Sequence, residues 1–184
     1  MEMFDVVDEN GVPTGETVSR EKAHQEGIRH RTAHVWLVRK REGRMQVLLQ
    51  KRSANKDSAP GKLDTSSAGH IPAGCDPVPS ALRELKEELG VTAEAKELRY
   101  IGLSRVNRER VYHGKPFRIN EVSWVYLLQR EVTDDEFRLQ EEEVESVCWQ
   151  DVDTVAEAMA AKDPAYCVPD DTFVCLRRAL ADAL

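Results

Sequence analysis

The stretch "GHIPAGCDPVPSALRELKEELGV", residues 69–91, combines a strong helix with an unusual load of carboxylates. Asp76-Pro77 is a good helix start, an acid at the N-cap followed by proline at the first helical position, and Gly90 is a natural left-handed stop. The spacing predicts a helix over Pro77–Leu89, with the Asp76 side chain accepting from the first-turn amides. On a 3.6-residue wheel Val78, Ala81, Leu82, Leu85 and Leu89 form an apolar stripe, while Glu84, Glu87 and Glu88 share another arc. One face packs and the other displays acid. Three glutamates on an arbitrary helix usually form a solvated face. Here the like charges at i, i+4 repel by a few tenths of a kcal/mol, and Glu87 and Glu88 lie near the negative end of the helix dipole. A divalent cation relieves both effects, and clustered hard oxygen ligands suit Mg²⁺ or Mn²⁺.

Around this helix the chain alternates strands and helices. Asn10-Gly11 marks a hairpin near the start, and residues 19–26 read as a short helix capped by Ser19. "TAHVWLVRK" and "MQVLLQKR" read as a second hairpin. The Ser-, Gly- and Pro-rich segment 53–74 reads as loop, with a short strand over 63–69. Residues 97–106, 119–129 and 145–150 alternate as strands, and 151–161 and 170–184 have helical spacing. No repeat or low-complexity linker interrupts them. The pattern predicts one domain over residues 1–184, of α/β or α+β class, with helices on the faces of a mixed sheet.

Composition narrows the function. The 184 residues carry 26 lysines and arginines against 33 acids, a formal charge of -7, which disfavours nucleic acid and anionic membranes as partners. No apolar run approaches the ~20 residues of a membrane span, and the acidic start is unlike a signal peptide, so a cytoplasmic location is expected. Cys75, Cys148, Cys167 and Cys175 form no C-x-x-C pair and are expected to be reduced thiols. Trp36, Tyr112, Phe117 and Trp124 are core candidates that also suit stacking on a ligand.

Residues 69–91 resemble the Nudix box, G-x5-E-x7-R-E-U-x-E-E-x-G-U with U aliphatic. Gly69, Arg83, Glu84, Leu85, Glu87, Glu88, Gly90 and Val91 fit in register, and Cys75 stands where the box has its first glutamate. The resemblance implies an α/β/α sandwich around a mixed sheet and Mg²⁺-dependent cleavage of a small diphosphate linked to another moiety, such as a nucleoside diphosphate. It maps Glu84, Glu87 and Glu88 onto metal-binding or water-activating roles, the Gly69 carbonyl onto a further ligand and Arg83 onto an orienting role. With the first glutamate gone, Arg83 is left to Glu87, one turn along, or to Asp76. The general base lies either in the box or on a distant loop, where Glu141, Glu142 and Glu143 are candidates.

Further segments, "HRTAHVWLV", "LLQKRSANKDSAPGKLD", "SSAGH", "NEV" and "EEEVESVCW", resemble the isopentenyl-diphosphate isomerase branch of the superfamily. That resemblance maps Arg52 and Lys56 onto diphosphate contacts and His24, His30, His70 and Glu121 onto a second metal cluster. It also raises a rival activity, proton transfer on an isoprenoid diphosphate. Those isomerases place a cysteine before the Gly-His pair and an acid two residues before the N-E-V glutamate. Ala68 and Ile119 occupy these positions, and neither side chain exchanges a proton. The lost donor and the three box glutamates favour a hydrolase, similar to isomerase-like Nudix hydrolases of bacteria and of one plant protein domain. A non-catalytic binding module of this fold is the third alternative, and the three retained helix glutamates count against it.

Overall fold

The computed structural model describes residues 1–56, 58–112 and 114–182. Its elements run β1 (Met3–Val7), β2 (Pro13–Ser19), α1 (Arg20–Glu26), β3 (His30–Arg41), β4 (Arg44–Arg52), β5 (Leu63–Asp64), β6 (Ser67–His70), α2 (Pro77–Leu89), β7 (Leu98–Tyr112), β8 (Lys115–Gln129), β9 (Val144–Asp151), α3 (Val152–Ala160) and α4 (Asp170–Ala181). β3 runs parallel to β8 on one side. On its other side its first half pairs antiparallel with β6 and its last residues with β4. β9 adds to β4 and β7 to β8, which makes the sheet mixed, as expected. β1 and β2 form a separate hairpin.

β3 is buried on both faces, so it reads as a nearly continuous apolar run. Ala33, Val35 and Leu37 meet Ala81, Leu85 and Leu89 of α2, while Trp36 and Val38 meet Val155 of α3 and Phe173 and Leu176 of α4. Helices on both sides of one sheet give the α/β/α sandwich. Each fully buried leucine or valine in these layers contributes roughly 1.5–3 kcal/mol. Gly90 ends α2 at φ 74°, donates its amide to Lys86 O and lies against the Arg138 backbone, so a side chain there would be both strained and obstructed.

The structure adjusts the predicted elements in four places. The strand expected over 63–69 is two short pieces, β5 and β6. Asp151, expected to open a helix, ends β9 at the N-cap position of α3, its side chain accepting from Arg44 and Gln46 rather than from the helix amides. α4 ends at Ala181 with Asp182 at its C-cap, and residues 183–184 of the predicted helix lie outside the described residues. The largest change is the β7–β8 hairpin. Residues 107–112 pair with 120–115 beyond the point where His30 of β3 meets Glu121, so six residue pairs extend as a ribbon of roughly 20 Å.

Ser19 caps α1 as expected, accepting from Lys22 N. Asp76 sits at the N-cap of α2, but its side chain makes no cap bond; its carbonyl accepts from Ser80 N and Ser80 Oγ instead. A side chain that accepts no amide leaves only its charge near the helix N-terminus. Asp76→Ala is therefore expected to cost a few tenths of a kcal/mol, less than the ~1 kcal/mol of a working cap, in chemical denaturation.

Candidate functional site

α2 carries its glutamates to the edge of a cleft of about 980 Å³ walled by β6, the β7–β8 ribbon and the 140–143 and 162–170 loops. Glu88 is the surprise on this helix. Its arc was expected to face solvent, yet Glu88 is buried, with Gln50 Nε2 donating to its carboxylate at 3.3 Å and Ala68 N at 3.2 Å. Where β3 exchanges β6 for β4 the sheet opens, and the carboxylate enters between them. Burial pushes its pKa up to about 8. Glu84 is also raised, by burial first, with Glu87 adding to the rise and Arg83 opposing it. Two carboxyls with little water and few cations around them form a site that a divalent ion completes. Gly69 allows this crowding, because a Cβ there would lie 2.1 Å from Glu84 Cδ.

Arg83 donates to Glu84 Oε1 at 2.6 Å, to the His70 carbonyl at 3.2 Å and to Glu87 Oε2 at 3.4 Å. Its partners are thus Glu87, as expected, and Glu84, which sequence alone did not point to; Asp76 is not among them. Cys75 is exposed, and the turn around it is held through its backbone. Its amide donates to Pro72 O, and its carbonyl accepts from Arg31, which also pairs with Asp5 at 2.7 Å. Cys75→Ser keeps every one of these bonds. It is expected to change hydrolysis less than ~3-fold, since an exposed side chain outside such features has little effect, and an assay that finds turnover abolished would give the thiol a chemical role.

A second group stands at the foot of the ribbon. His24 of α1, His30 of β3, His70 of β6 and Glu121 of β8 bring ligand atoms within 4.8 Å of one another. The Nε2 atoms of all three histidines are buried without a hydrogen-bond partner, a costly state unless something occupies the space between them. His30 and His70 each place Nε2 3.7 Å from Glu121 Oε1. Burial works against ionisation of Glu121, but these two histidines hold its carboxyl well below the usual range. Burial lowers His24 to about 4, so it is neutral and able to ligate. Three imidazoles and a carboxylate fit a transition-metal ion better than Mg²⁺.

Arg52 and Lys56 line the cleft, but their charges are engaged. Arg52 donates to Asp64 at 3.1 Å and to Ser58, and Lys56 pairs with Glu143. Glu142 also lines the cleft. Of the aromatics, Trp36 packs on Phe173 in the core and Trp124 packs on the α2-side core, while Tyr112 and Phe117 face the cleft. The sequence reading missed His34, which lines the cleft opposite Ala68 in the β3–β6 register, with Nδ1 buried and unpartnered. His30, Thr32 and His34 alternate inside an apolar run, and that period was the available signal. All four cysteines are free, and among the described residues no helix is long and apolar enough to cross a membrane.

A glutamate-bearing helix against a mixed sheet, with Gly69 fitted to one of its carboxylates, is the arrangement the box describes, and the NUDIX domain family matches residues 28–171. The chain belongs to the Nudix family, and the relatives it resembles are named Nudix hydrolases. It is 41% identical over 174 residues to Nudix hydrolase 3 of Arabidopsis thaliana, an alignment that covers 92% of this chain and 22% of the plant protein. It is 36% identical over 162 residues to an uncharacterized Nudix hydrolase of Clostridium acetobutylicum, covering 88% of this chain and 75% of the other. The chain thus spans about a fifth of the plant relative and three quarters of the bacterial one. The crystal structure of DR0079 from Deinococcus radiodurans shares the fold, with a TM-score of 0.66 at 21% identity over 96% of this chain and 98% of that one.

Proposed function

We propose that this chain is a single Nudix domain that hydrolyses a small diphosphate linked to another moiety, using Mg²⁺ or Mn²⁺ held by Glu84, Glu87, Glu88 and the Gly69 carbonyl. The observation that carries the reading is the pair of raised, crowded carboxyls, Glu84 and Glu88, at the edge of a large cleft. Divalent cations at such a site neutralise a diphosphate and bring the pKa of water toward neutrality. Arg83 fixes Glu84 and Glu87 in place. Gln50 and the Ala68 amide orient Glu88. Of the acids at 141–143, Glu143 is paired with Lys56, while Glu142 lines the cleft without an ion pair among the described residues; Glu142 is the general base in this reading. Arg52 and Lys56 stand in the cleft wall, each paired with an acid, Asp64 and Glu143. His24, His30, His70 and Glu121 hold a second, transition-metal ion, consistent with three orphaned ring nitrogens.

The isomerase alternative lacks its proton donor at Ala68, and against the binding-module alternative all three helix glutamates, Glu84, Glu87 and Glu88, are kept. One experiment separates the three. The chelator-treated protein is offered nucleoside diphosphates, sugar nucleotides, dinucleotides and isopentenyl diphosphate, with and without Mg²⁺ or Mn²⁺. Metal-dependent cleavage of any member is the expected result. Binding without cleavage would favour the module, and deuterium entering the allylic position of isopentenyl diphosphate in heavy water would favour the isomerase.

A further inference from the structure

The cleft of a protein with formal charge -7 needs local cations to attract a diphosphate. Half of those at hand are engaged. Arg52 is bound to Asp64 and Ser58, Lys56 to Glu143, Arg83 to Glu84 and Glu87, and Arg20 to Glu2 at 2.9 Å. Four further cations line the cleft and have no ion pair among the described residues: Lys62, Lys162, Arg108 and Arg110. The lysines come from two separate loops, whereas the arginines are neighbours on one strand face.

That face is the inner side of the ribbon. Side chains of a strand alternate between faces, and the cleft is lined by Val106, Arg108, Arg110 and Tyr112 of β7 with Phe117 and Ile119 of β8, every second residue in each case. The cross-strand partners Arg108↔Ile119 and Arg110↔Phe117 share this side, so each arginine stands against an apolar neighbour, with no acid among its cross-strand partners. The other face differs in kind: there Glu109 and Arg118 pair at 2.7 Å, which neutralises both. Arg118 also donates to Gln25 O, and Asn120 donates to Gly27 O at 2.9 Å, so the foot of the ribbon is fastened to the end of α1. Phe117 stacks on His24 at 4.1 Å. The ribbon is anchored by its outer face and base, and its inner face presents to the cleft two guanidinium groups with no ion pair among the described residues. Residues i and i+2 of a strand lie roughly 7 Å apart, close enough for two long side chains to converge on one diphosphate, and the planar guanidinium fork suits phosphate oxygens.

We infer that Arg108 and Arg110 are the phosphate-binding cations of this cleft, gripping the anionic group of the substrate from the ribbon while the α2 carboxylates act on it through bound cations. The inference rests on the reading of the cleft as a diphosphate site. Holding the ground state and the transition state alike, the two arginines act on KM and leave kcat largely unchanged. They are specificity residues for the anionic group, and α2 retains the chemistry.

The test uses the full chain with Mg²⁺, inorganic pyrophosphate as the binding probe in titration calorimetry, and the best-cleaved diphosphate of the panel for kinetics. Arg108→Gln with Arg110→Gln in one protein is expected to weaken pyrophosphate binding and raise KM at least ~10-fold, with kcat within ~3-fold and the loss shrinking as salt is raised. Arg105→Gln is the control for charge on the same strand, matched to either single variant, Arg108→Gln or Arg110→Gln. It removes one positive charge, but Arg105 bonds Glu9 O and Asn10 outside the cleft, and the affinity of this variant for pyrophosphate should stay within ~2-fold of wild type. Pyrophosphate binding by the double variant within ~2-fold of wild type, or no weaker than that of Arg105→Gln, would overturn the inference while the diphosphate reading stands. Failure of the wild-type protein itself to bind pyrophosphate or cleave any diphosphate would instead overturn that reading, and this inference with it.

Discussion

Glu88→Gln is expected to reduce metal-dependent hydrolysis at least ~100-fold while making the metal-free protein more stable at alkaline pH. The two effects have one cause. Burial raises the Glu88 pKa from 4.5 to about 8, so between these values the folded chain binds a proton that the unfolded chain has released. Stability therefore falls as pH rises through that window, and the penalty is complete above the folded value. At about 1.4 kcal/mol per unit it amounts to at most about 5 kcal/mol. Glutamine keeps the shape and remains neutral at every pH. Thermal unfolding in chelator should find the two proteins alike near pH 4.5 and the variant higher-melting at pH 8.5. Added Mg²⁺ should then raise wild type far more than the variant, because a cation replaces the proton that the carboxylate needs. A variant whose advantage did not change with pH would show that the charge of Glu88 is not what burial opposes.

How this carboxylate came to be buried shows where sequence reading stops. The ends of α2 were legible because helix termini are written locally, Asp76-Pro77 at one end and Gly90 at the other. The sheet faces were legible too, since the apolar run of β3 and the alternation in β8 reflect what packs above and below. Glu88 lies on the arc that a helical wheel assigns to solvent, and only Gln50 and Ala68, from strands remote in sequence, enclose it. Arg52 and Lys56 were equally opaque. As isolated cations near a strand end they looked available, but Asp64 and Glu143 engage them in the fold.

The ribbon was missed for a different reason. Residues 107–118, "NRERVYHGKPFR", carry charges at both parities, so neither a buried face nor an exposed one stands out. A two-stranded extension flanked by cleft on one side and ion pairs on the other needs no apolar alternation. What holds its foot is Arg118 and Asn120 reaching α1, which sequence spacing does not reveal. The metal-type cluster was legible as residue types, His24, His30, His70 and Glu121, but its strongest sign is geometric: three buried nitrogens without partners.

Gly69→Ala should cost about as much activity as losing a glutamate, with little loss of stability. Gly69 lies in β6, paired with Ala33 of β3, and its backbone is not in the left-handed region, so alanine meets no conformational barrier. The added Cβ would stand 2.1 Å from Glu84 Cδ and 2.4 Å from Oε1. Those atoms end a side chain with three rotatable bonds, so Glu84 swings aside rather than the strand moving, and melting should stay within a few degrees of wild type. The displaced carboxylate leaves Arg83, now 2.6 Å away, and leaves the metal position proposed for it together with Glu88 and the Gly69 carbonyl. A misplacement of about 1 Å at a reacting site can remove ~100-fold in rate, and that is the expected loss. A double variant makes the cause visible. If the methyl acts only by moving Glu84, Gly69→Ala combined with Glu84→Gln should be no slower than the slower single variant, the non-additivity of two changes to one interaction. Losses that multiply would mean that Gly69 serves the reaction by another route, and near-wild-type turnover in Gly69→Ala would remove Glu84 from the site.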